Sequence, residues 1–410
     1  MTESGTGEAL AVAGATAVSG VGGAWRRAGF AGAAVGIVAA GAAAGVALER
    51  LTVGRGMRRR ARLALDAAGP YGSLRGTPGT ALADDGTALF YEVDEVDGAD
   101  GPGAAPTRRR LLGRCGPQPV TVVFSHGYCL TQDSWHYQRA ALRGLVRTVH
   151  WDQRSHGRSA RGVAQTGPDA VPVSIDRLGH DLKAVIDAAA PEGPLVLVGH
   201  SMGGMTIMAL ADQYPELFRE RVAGVAFVGT SCGRLGEVSY GLPAVGVNAV
   251  RRVLPGVLRA LGSQAELVER GRRATADLFA GLIKRYSFSS KDVDPAVVRF
   301  AERMIESTPI DVVAAFYPAF AEHDKAAALA VLADAAVPVL ALAGDRDLVT
   351  PGSHTETIAE LLPEAELVMV PDAGHLVMLE HPDTVTSHLV DLLVRAGAVP
   401  DATDTGTRSG

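Results

Sequence analysis

A serine in a tight, glycine-flanked turn is the first residue of this chain whose surroundings suit covalent chemistry. The apolar run 195–198 is typical of a strand buried on both faces, the letters GHSMG follow at once, and 206–214 predicts a helix. Gly199 and Gly203 lack a Cβ and so leave room for a sharp strand-to-helix turn that exposes the hydroxyl of Ser201. The alternative, a chance pattern of small residues, is weakened by the flanking strand and helix. Ser201 is therefore the candidate nucleophile.

A serine nucleophile needs a base that is held in place by a third group, and both follow late strands of the sequence. The letters GDRDLVTP contain Asp345 and Asp347, and the letters PDAGH end on His375. Asp347 lies deeper in its loop and is the predicted acid, whereas Asp345 is expected to cap a turn or a neighbouring helix. His375 is the one histidine of eleven in the loop after the final strand, with a purely structural histidine as the alternative.

Two backbone amides are expected to stabilise an oxyanion beside this serine. The Met202 N–H follows the nucleophile directly, and Tyr128 in the letters SHGY follows an earlier strand. Gly127 allows the backbone of that loop to turn inward, and the Tyr128 ring is expected to form a wall of an acyl pocket. The alternative is that His126 and Gly127 form only a turn.

The elements that must position these residues alternate between strands and helices, which predicts an α/β fold with a mostly parallel central sheet and helices on both faces. A hairpin is predicted over 80–96. The predicted strands are Val120–Ser125, Thr148–Asp152, Leu195–Val198, Val222–Val228, Val337–Ala343 and Leu367–Val370, and the main helices of the core are Ile175–Ala189, Thr206–Tyr214 and Asp383–Arg395.

A long helical stretch separates two late strands and predicts an inserted lid over 232–335, with helices at 243–261, 264–286, 295–306 and 310–322. Phe316 and Phe320 are among its apolar side chains that could line the entrance to a site, although helical stripes usually pack inward as a core. The predicted hydrolase-like core comprises 76–231 and 336–397. The segments 1–27 and 398–410 are predicted to be disordered tails, 49–75 a basic linker and 97–118 a flexible insertion.

Five motifs in this order resemble the α/β-hydrolase family over about residues 80–396. They are His126-Gly127, Asp152-x-Arg154-x-x-Gly157-Arg158-Ser159, Gly199-His200-Ser201-Met202-Gly203-Gly204, Gly344-x-x-Asp347-x-x-x-Pro351 and Gly374-His375. The resemblance is to the branch that holds esterases, lipases, haloperoxidase-like perhydrolases and ring-cleavage hydrolases. It implies a Ser201–Asp347–His375 triad, and it is specific for the fold and the triad rather than for a substrate.

The chain departs from the family pattern at one position. Members usually carry glycine after the motif arginine, where this sequence has Ser155, which puts the conformation of that loop in question. Epoxide hydrolases and haloalkane dehalogenases of the family place aspartate at the elbow, so Ser201 argues against both activities.

The resemblance and the residues together predict a serine esterase or lipase that cleaves a lipophilic carboxylic ester without a metal or an organic cofactor. A thioesterase, a perhydrolase or a C–C bond hydrolase using the same triad is the alternative. A third possibility, from another class, is a membrane-tethered binding protein without activity.

The charge and the cysteine count of the chain indicate which classes of partner and which compartment are favoured. Lys and Arg number 39 and Asp and Glu number 45, so the net charge of −6 does not favour nucleic acid. Three cysteines, Cys115, Cys129 and Cys232, lie far apart and without metal-type spacing. An odd number cannot pair completely, which argues against a disulfide framework and favours a reducing or indifferent compartment.

The segment Ala28–Leu48 has 21 residues without a charge and is long enough to cross a bilayer. It consists mostly of Ala and Gly, so a secretory signal or a packing helix are alternatives to a membrane anchor. Six arginines between 50 and 62 follow it and two precede it. The positive-inside rule therefore predicts a protein of the cell membrane whose catalytic part faces the cytoplasm.

Overall fold

The computed structural model of the protein describes residues 71–97, 119–166, 171–238, parts of 252–260, and 283–399. Both predicted tails lie outside these residues almost completely, as do the segment 28–48 and most of the basic linker. Most of the insertion predicted over 97–118 and most of the two lid helices predicted over 243–261 and 264–286 also lie outside them.

Eight strands form one sheet in the described part of the chain, in the order β1-β2-β4-β3-β5-β6-β7-β8. Only β2 runs against its neighbours, and the ladders from β4 through β8 are parallel. The strands are β1 Thr77–Leu82, β2 Ala88–Asp94, β3 Thr121–Ser125, β4 Arg147–Trp151, β5 Leu195–His200, β6 Val222–Val228, β7 Val339–Gly344 and β8 Glu366–Val370. The predicted α/β class with a mostly parallel sheet is confirmed.

Helices cover both faces of this sheet. They are α1 His136–Leu142, α2 Ile175–Ala189, α3 Met202–Gln213, α4 Pro215–Glu220, α5 Pro295–Ser307, α6 Ile310–Glu322, α7 Leu329–Asp334, α8 Gly352–Leu361, α9 Val377–Glu380 and α10 Pro382–Arg395. Alternate residues of the central strands serve different cores: Val123 and Leu197 join one cluster, and Val122 and Val196 join the other. The continuous apolar runs of β5 and β7 are therefore buried on both sides.

The helices α5 and α6 belong to the segment inserted between β6 and β7. Its two ends are joined beside the sheet, where Gly233 and Asp324 form an isolated antiparallel bridge. The Lys325 N–H also donates to the Cys232 carbonyl at 2.7 Å. The inserted helices are thus present where the sequence predicts them, and their action as a lid stays a prediction.

The helix after the nucleophile begins earlier than predicted. The structure starts α3 at Met202, directly after Ser201, rather than at Thr206. Gly203 and Gly204 are poor helix formers and hide this start in the sequence. An added Cβ on Gly203 would overlap the Ser125 carbonyl oxygen, so glycine is needed for close contact with β3.

The predicted membrane location is wrong on the evidence of the described residues. None of their helices combines the length and the apolar composition that a bilayer span requires. Even α2, with 15 residues, is shorter than the roughly 20 that a span needs. Residues 28–48 lie outside the described part, and length was the one feature that favoured their insertion, because Ala and Gly contribute little hydropathy. The membrane anchor and the cytoplasmic orientation derived from it are withdrawn.

Candidate active site

Ser201 occupies a strained turn between β5 and α3. Its φ of 51° and ψ of −118° lie in a region that L-residues rarely adopt. The turn is fixed on both sides, since Ser201 N–H donates to Val228 O at 3.0 Å and Ser201 O accepts from Thr230 Oγ1 at 2.7 Å. A Cβ on Gly199 would lie 2.6 Å from Gly203 C. Glycine at position 199 therefore leaves room for the turn.

Asp347 and His375 meet at the carboxyl edge of the sheet. His375 Nδ1 lies 2.8 Å from Asp347 Oδ2, and the Asp347 side chain is buried. The other carboxylate oxygen, Oδ1, accepts from the amides of Val349 at 2.7 Å and Thr350 at 2.9 Å. These donors support an ionised carboxylate, for which His375 carries its proton on Nδ1. Asp345 is exposed, so the structure brings Asp347, and not Asp345, to the histidine.

His200 connects the serine turn to the loop that carries His375. Its Nε2 lies 2.9 Å from the His375 carbonyl oxygen, and the two ring centroids are 4.7 Å apart. Because a carbonyl only accepts, His200 donates from Nε2. Burial is the main cause that holds the pKa of His200 well below its usual value, and His375 adds to the effect. A neutral ring beside Ser201 therefore joins the end of β5 to the loop after β8.

The loop after β3 passes directly beside the serine. A Cβ on Gly127 would lie 2.6 Å from His200 Nδ1 and 3.2 Å from Ser201 Cβ. Glycine is thus required there for a close approach. Among the described residues, neither the Tyr128 nor the Met202 amide has a hydrogen-bond acceptor. Both predicted oxyanion donors are therefore available near the serine.

His126 fixes the orientation of the peptide that precedes Tyr128. Its Nδ1 lies 2.7 Å from Gly127 O, and its Nε2 accepts from Gln153 N–H at 2.9 Å. Burial lowers the pKa of His126 to about 4, which keeps the ring neutral with its proton on Nδ1. Since the C=O and N–H of one peptide point in opposite directions, the bond to Gly127 O also sets the direction of the Tyr128 N–H.

Phe316 and Phe320 of α6 contact the Tyr128 ring. The centroid distances are 6.2 Å for the stacked Phe316 and 5.0 Å for the edge-on Phe320. The Tyr128 hydroxyl donates to Val313 O of the same helix at 2.6 Å. With Met202 they belong to an apolar cluster beside the serine turn. Phe316 is fully buried and Phe320 partly so, and their use by a substrate stays a prediction.

Sequence reasoning missed Thr350. Its Oγ1 lies 2.9 Å from Asp347 Oδ2, 2.8 Å from Gly229 O and 3.2 Å from His375 Nδ1. Its proton can serve only one of the two acceptor oxygens at a time. The only signal in the sequence is a hydroxyl residue three positions after the predicted acid.

Ser155 adopts the left-handed conformation that glycine usually supplies at its position. Its φ is 64°, and its amide donates to Ala160 O at 2.9 Å. The hydroxyl accepts from Gly162 N–H at 3.2 Å, which offsets part of the cost of that backbone. The neighbouring His156 accepts from the Cys129 amide at 3.2 Å and so supports the loop that carries the Tyr128 amide. The serine is accommodated by local hydrogen bonds.

No group of three or more His, Cys, Asp or Glu side chains in the described ranges is arranged to hold a metal ion. The arrangement is suited instead to nucleophilic chemistry: a hydroxyl on a strained turn, an imidazole paired with a buried carboxylate, and two backbone amides.

Comparison with known proteins identifies a family and several relatives. The sequence model of a family described as the alpha/beta hydrolase fold matches residues 120–382. The chain is 27% identical over 315 residues to the dihydrolipoyllysine-residue acetyltransferase component of the acetoin cleaving system of Pseudomonas putida, covering 75% of this chain and 73% of that protein. It is 29% identical over 278 residues to the mouse (Mus musculus) sn-1-specific diacylglycerol lipase ABHD11, covering 65% and 80%.

Among solved structures, a thermophilic esterase from Thermogutta terrifontis superposes with a TM-score of 0.54 at 23% identity. The alignment covers 78% of this chain and 98% of the esterase. At that identity the similarity shows the shared fold alone.

Proposed function

Because this chain belongs to the α/β-hydrolase fold family, we propose that it is a serine hydrolase that cleaves carboxylic esters of lipophilic substrates through an acyl-enzyme on Ser201. Hydrolase activity is supported by the fold and by the relatives, among them a lipase. The observation that carries the finer proposal is the 2.8 Å contact between His375 Nδ1 and buried Asp347 at the same sheet edge as the strained Ser201.

In the proposed first step, Ser201 Oγ attacks the ester carbonyl carbon while His375 Nε2 takes the hydroxyl proton. Asp347 keeps the imidazole proton on Nδ1 and stabilises the imidazolium that forms. The C–O bond to the leaving group then breaks, and His375 protonates the departing alkoxide. The acyl group remains on Ser201.

In the second step, water attacks the acyl-enzyme with His375 again as the base, and the acid is released while the serine regains its proton. The amides of Met202 and Tyr128 would stabilise the oxyanion in both steps, because they are donors that the backbone already holds in place. Removal of one such donor typically costs on the order of 100-fold in kcat or more.

The preference for a lipophilic substrate rests on the aromatic and aliphatic side chains around Tyr128. Phe316, Phe320 and Met202 belong to this group, and the Tyr128 hydroxyl is occupied by Val313 O. A substrate group that enters beside these side chains would meet apolar surface, which favours burial of an acyl chain over a charged group.

A thioesterase is the second candidate, because the chain resembles an acetyltransferase component named for a dihydrolipoyllysine residue. Acetyl carried on a dihydrolipoyl thiol is a thioester, and the same residues could cleave a thioester. Hydrolysis rates of matched p-nitrophenyl esters and acyl-thiol esters separate the two candidates by their ratio of kcat/KM.

A fluorophosphonate probe tests the proposed nucleophile. The wild-type protein should be labelled at Ser201, and Ser201→Ala should abolish labelling because no other serine occupies an equivalent turn in the described residues. Thr206→Ser, in the helix α3 that follows Ser201, serves as a control that should be labelled normally. Labelling that persists on another serine of Ser201→Ala would remove this assignment.

A further inference from the structure

The loop that carries His375 is attached to the inserted segment through one carboxylate. The Gly374 amide donates to Glu380 Oε2 at 2.6 Å. The amides of Ser289 and Ser290 donate to Glu380 Oε1 at 3.0 and 2.6 Å. Glu380 therefore bridges the backbone of the residue before His375 and the backbone of the insert.

A direct contact between the same two segments accompanies this bridge. The Leu376 amide donates to Ser287 O at 2.8 Å. A Cβ on Gly374 would lie 2.8 Å from Ser289 N and 2.9 Å from the backbone of Phe288, so the two chains touch at that glycine. Both Ser287 and Phe288 are buried. The insert thus contacts the loop on either side of its histidine.

The chemistry of the bridge requires a carboxylate. Three N–H donors converge on two oxygens of Glu380, and hydrogen bonds to an ionised acceptor are shorter and stronger than neutral ones. A glutamine of the same shape has one accepting oxygen, and its NH2 group would face an amide donor. A glutamine at position 380 could therefore bond either the insert or the loop that carries His375, but not both.

We propose that Glu380 is a positioning residue that holds His375 against the inserted segment, so that the insert forms part of the support of the base. The proposal rests on the proposed function, in which His375 takes the proton of Ser201. A displacement of about 1 Å at a catalytic group can cost on the order of 100-fold in rate. A shift of Ser287–Ser290 would consequently change the rate of acylation even though none of these residues touches the reacting atoms.

The test compares Glu380→Gln with a matched control, Glu366→Gln. Glu366 lies at the start of β8 and bonds His388 and Arg395 at 2.7 and 2.5 Å, and it has no hydrogen bond to the described residues of the insert. The measurements are kcat and KM for p-nitrophenyl butyrate, the rate constant of fluorophosphonate labelling, and Tm. Glu380→Gln should lower kcat and the labelling rate by about 10- to 100-fold with KM within about twofold, whereas Glu366→Gln should leave both rates within about twofold.

A second variant, at Gly374, tests the same contact between the insert and the loop that carries His375. Gly374→Ala pushes the insert and the loop apart and should produce the same loss of kcat with a small change in KM, and it replaces Glu380→Gln should that variant not fold. The proposal would be overturned if the folded variant kept its kcat and labelling rate within about twofold of wild type. It would also be overturned if the variant lost no more kcat than Glu366→Gln, or if only its KM rose. If the fluorophosphonate does not label the wild-type protein, both the proposed function and the positioning role of Glu380 fail. If Ser201 is labelled equally fast in wild type and variant, only the positioning role fails.

Discussion

At the scale of single residues, two aspartates of one loop have opposite environments. Asp347 is buried and contacts His375, while Asp345 two positions earlier is exposed, and its backbone amide donates to Val370 O at 3.0 Å. The difference follows from the strand: β7 ends at Gly344, and the chain must turn before a side chain can point back over the sheet edge. A carboxylate at position 347 can therefore orient the His375 imidazole, and one at position 345 cannot.

Asp347→Asn should lower kcat strongly, because an amide favours the wrong tautomer of His375. A loss of about 10,000-fold is the scale known for such a change in a serine triad. Asp345→Asn is the control and should change kcat by less than about threefold. Steady-state kinetics with p-nitrophenyl butyrate measure both, and the opposite ranking would transfer the role to Asp345.

The candidate nucleophile, base and acid could be read from the sequence because each has a local signature, namely a glycine-flanked serine or a polar residue just after an apolar run. The supporting contacts of Thr350, His200 and Glu380 could not be read in this way, because their partners lie far away in the chain. Gly229 is 121 positions from Thr350, the His375 carbonyl is 175 positions from His200, and the Ser289 amide is 91 positions from Glu380. Only the folded arrangement of the strands reveals these contacts.

At the scale of elements, the predictions succeeded where the apolar pattern is continuous or amphipathic. The bounds of α2, α6 and β6 agree with the sequence to the residue, since polar, proline or glycine residues stand at or close to both ends of each pattern. The start of α3 was missed because close packing of Gly203 on β3, rather than helix propensity, determines it. Tertiary contact overrides local preference at the helix that follows the nucleophile.

The helix α6 should influence which acyl chains are accepted. Phe320→Ala removes a partly buried ring against Tyr128 and should shift the preference toward longer acyl chains, because the site gains volume. A change of roughly tenfold in relative kcat/KM between butyrate and octanoate esters is expected. Phe316→Ala should shift the preference in the same direction and also lower stability by about 3–5 kcal/mol, because that ring is fully buried.

Phe300→Ala is the matched control for these variants. This ring belongs to the neighbouring inserted helix α5 and stacks on Tyr71 at 5.5 Å, on the side of the insert that faces α1. It should reduce stability without a change in chain-length preference. An identical profile of p-nitrophenyl ester hydrolysis in all variants would show that α6 does not select the substrate.

At the scale of the whole molecule, four histidines are buried in their neutral form, and His126, His156 and His200 among them contact the loops of the candidate site. His126, His150, His156 and His200 are all fully buried, and burial is the main cause that lowers the pKa of each. In His126 and His156 the values fall to about 4 and about 3. Both rings accept a backbone amide from another loop, so their neutral form holds together the loops after β3 and β4.

These histidines should make the folded state sensitive to mild acid. The unfolded chain binds protons on histidine below about pH 6.5, whereas folded His126 binds them only near pH 4. The free energy of unfolding therefore falls as pH decreases between these values, by about 2 kcal/mol at pH 5 for this ring alone.

His126→Gln removes the proton site, so the difference in unfolding free energy between pH 7 and pH 5 should shrink by about that amount, even though the variant is less stable at pH 7. Urea denaturation at both pH values measures it. An equal pH dependence in His126→Gln and wild type would mean that His126 is protonated in the folded protein near pH 6, and that the hydrogen bonds around Gly127 do not depend on a neutral ring.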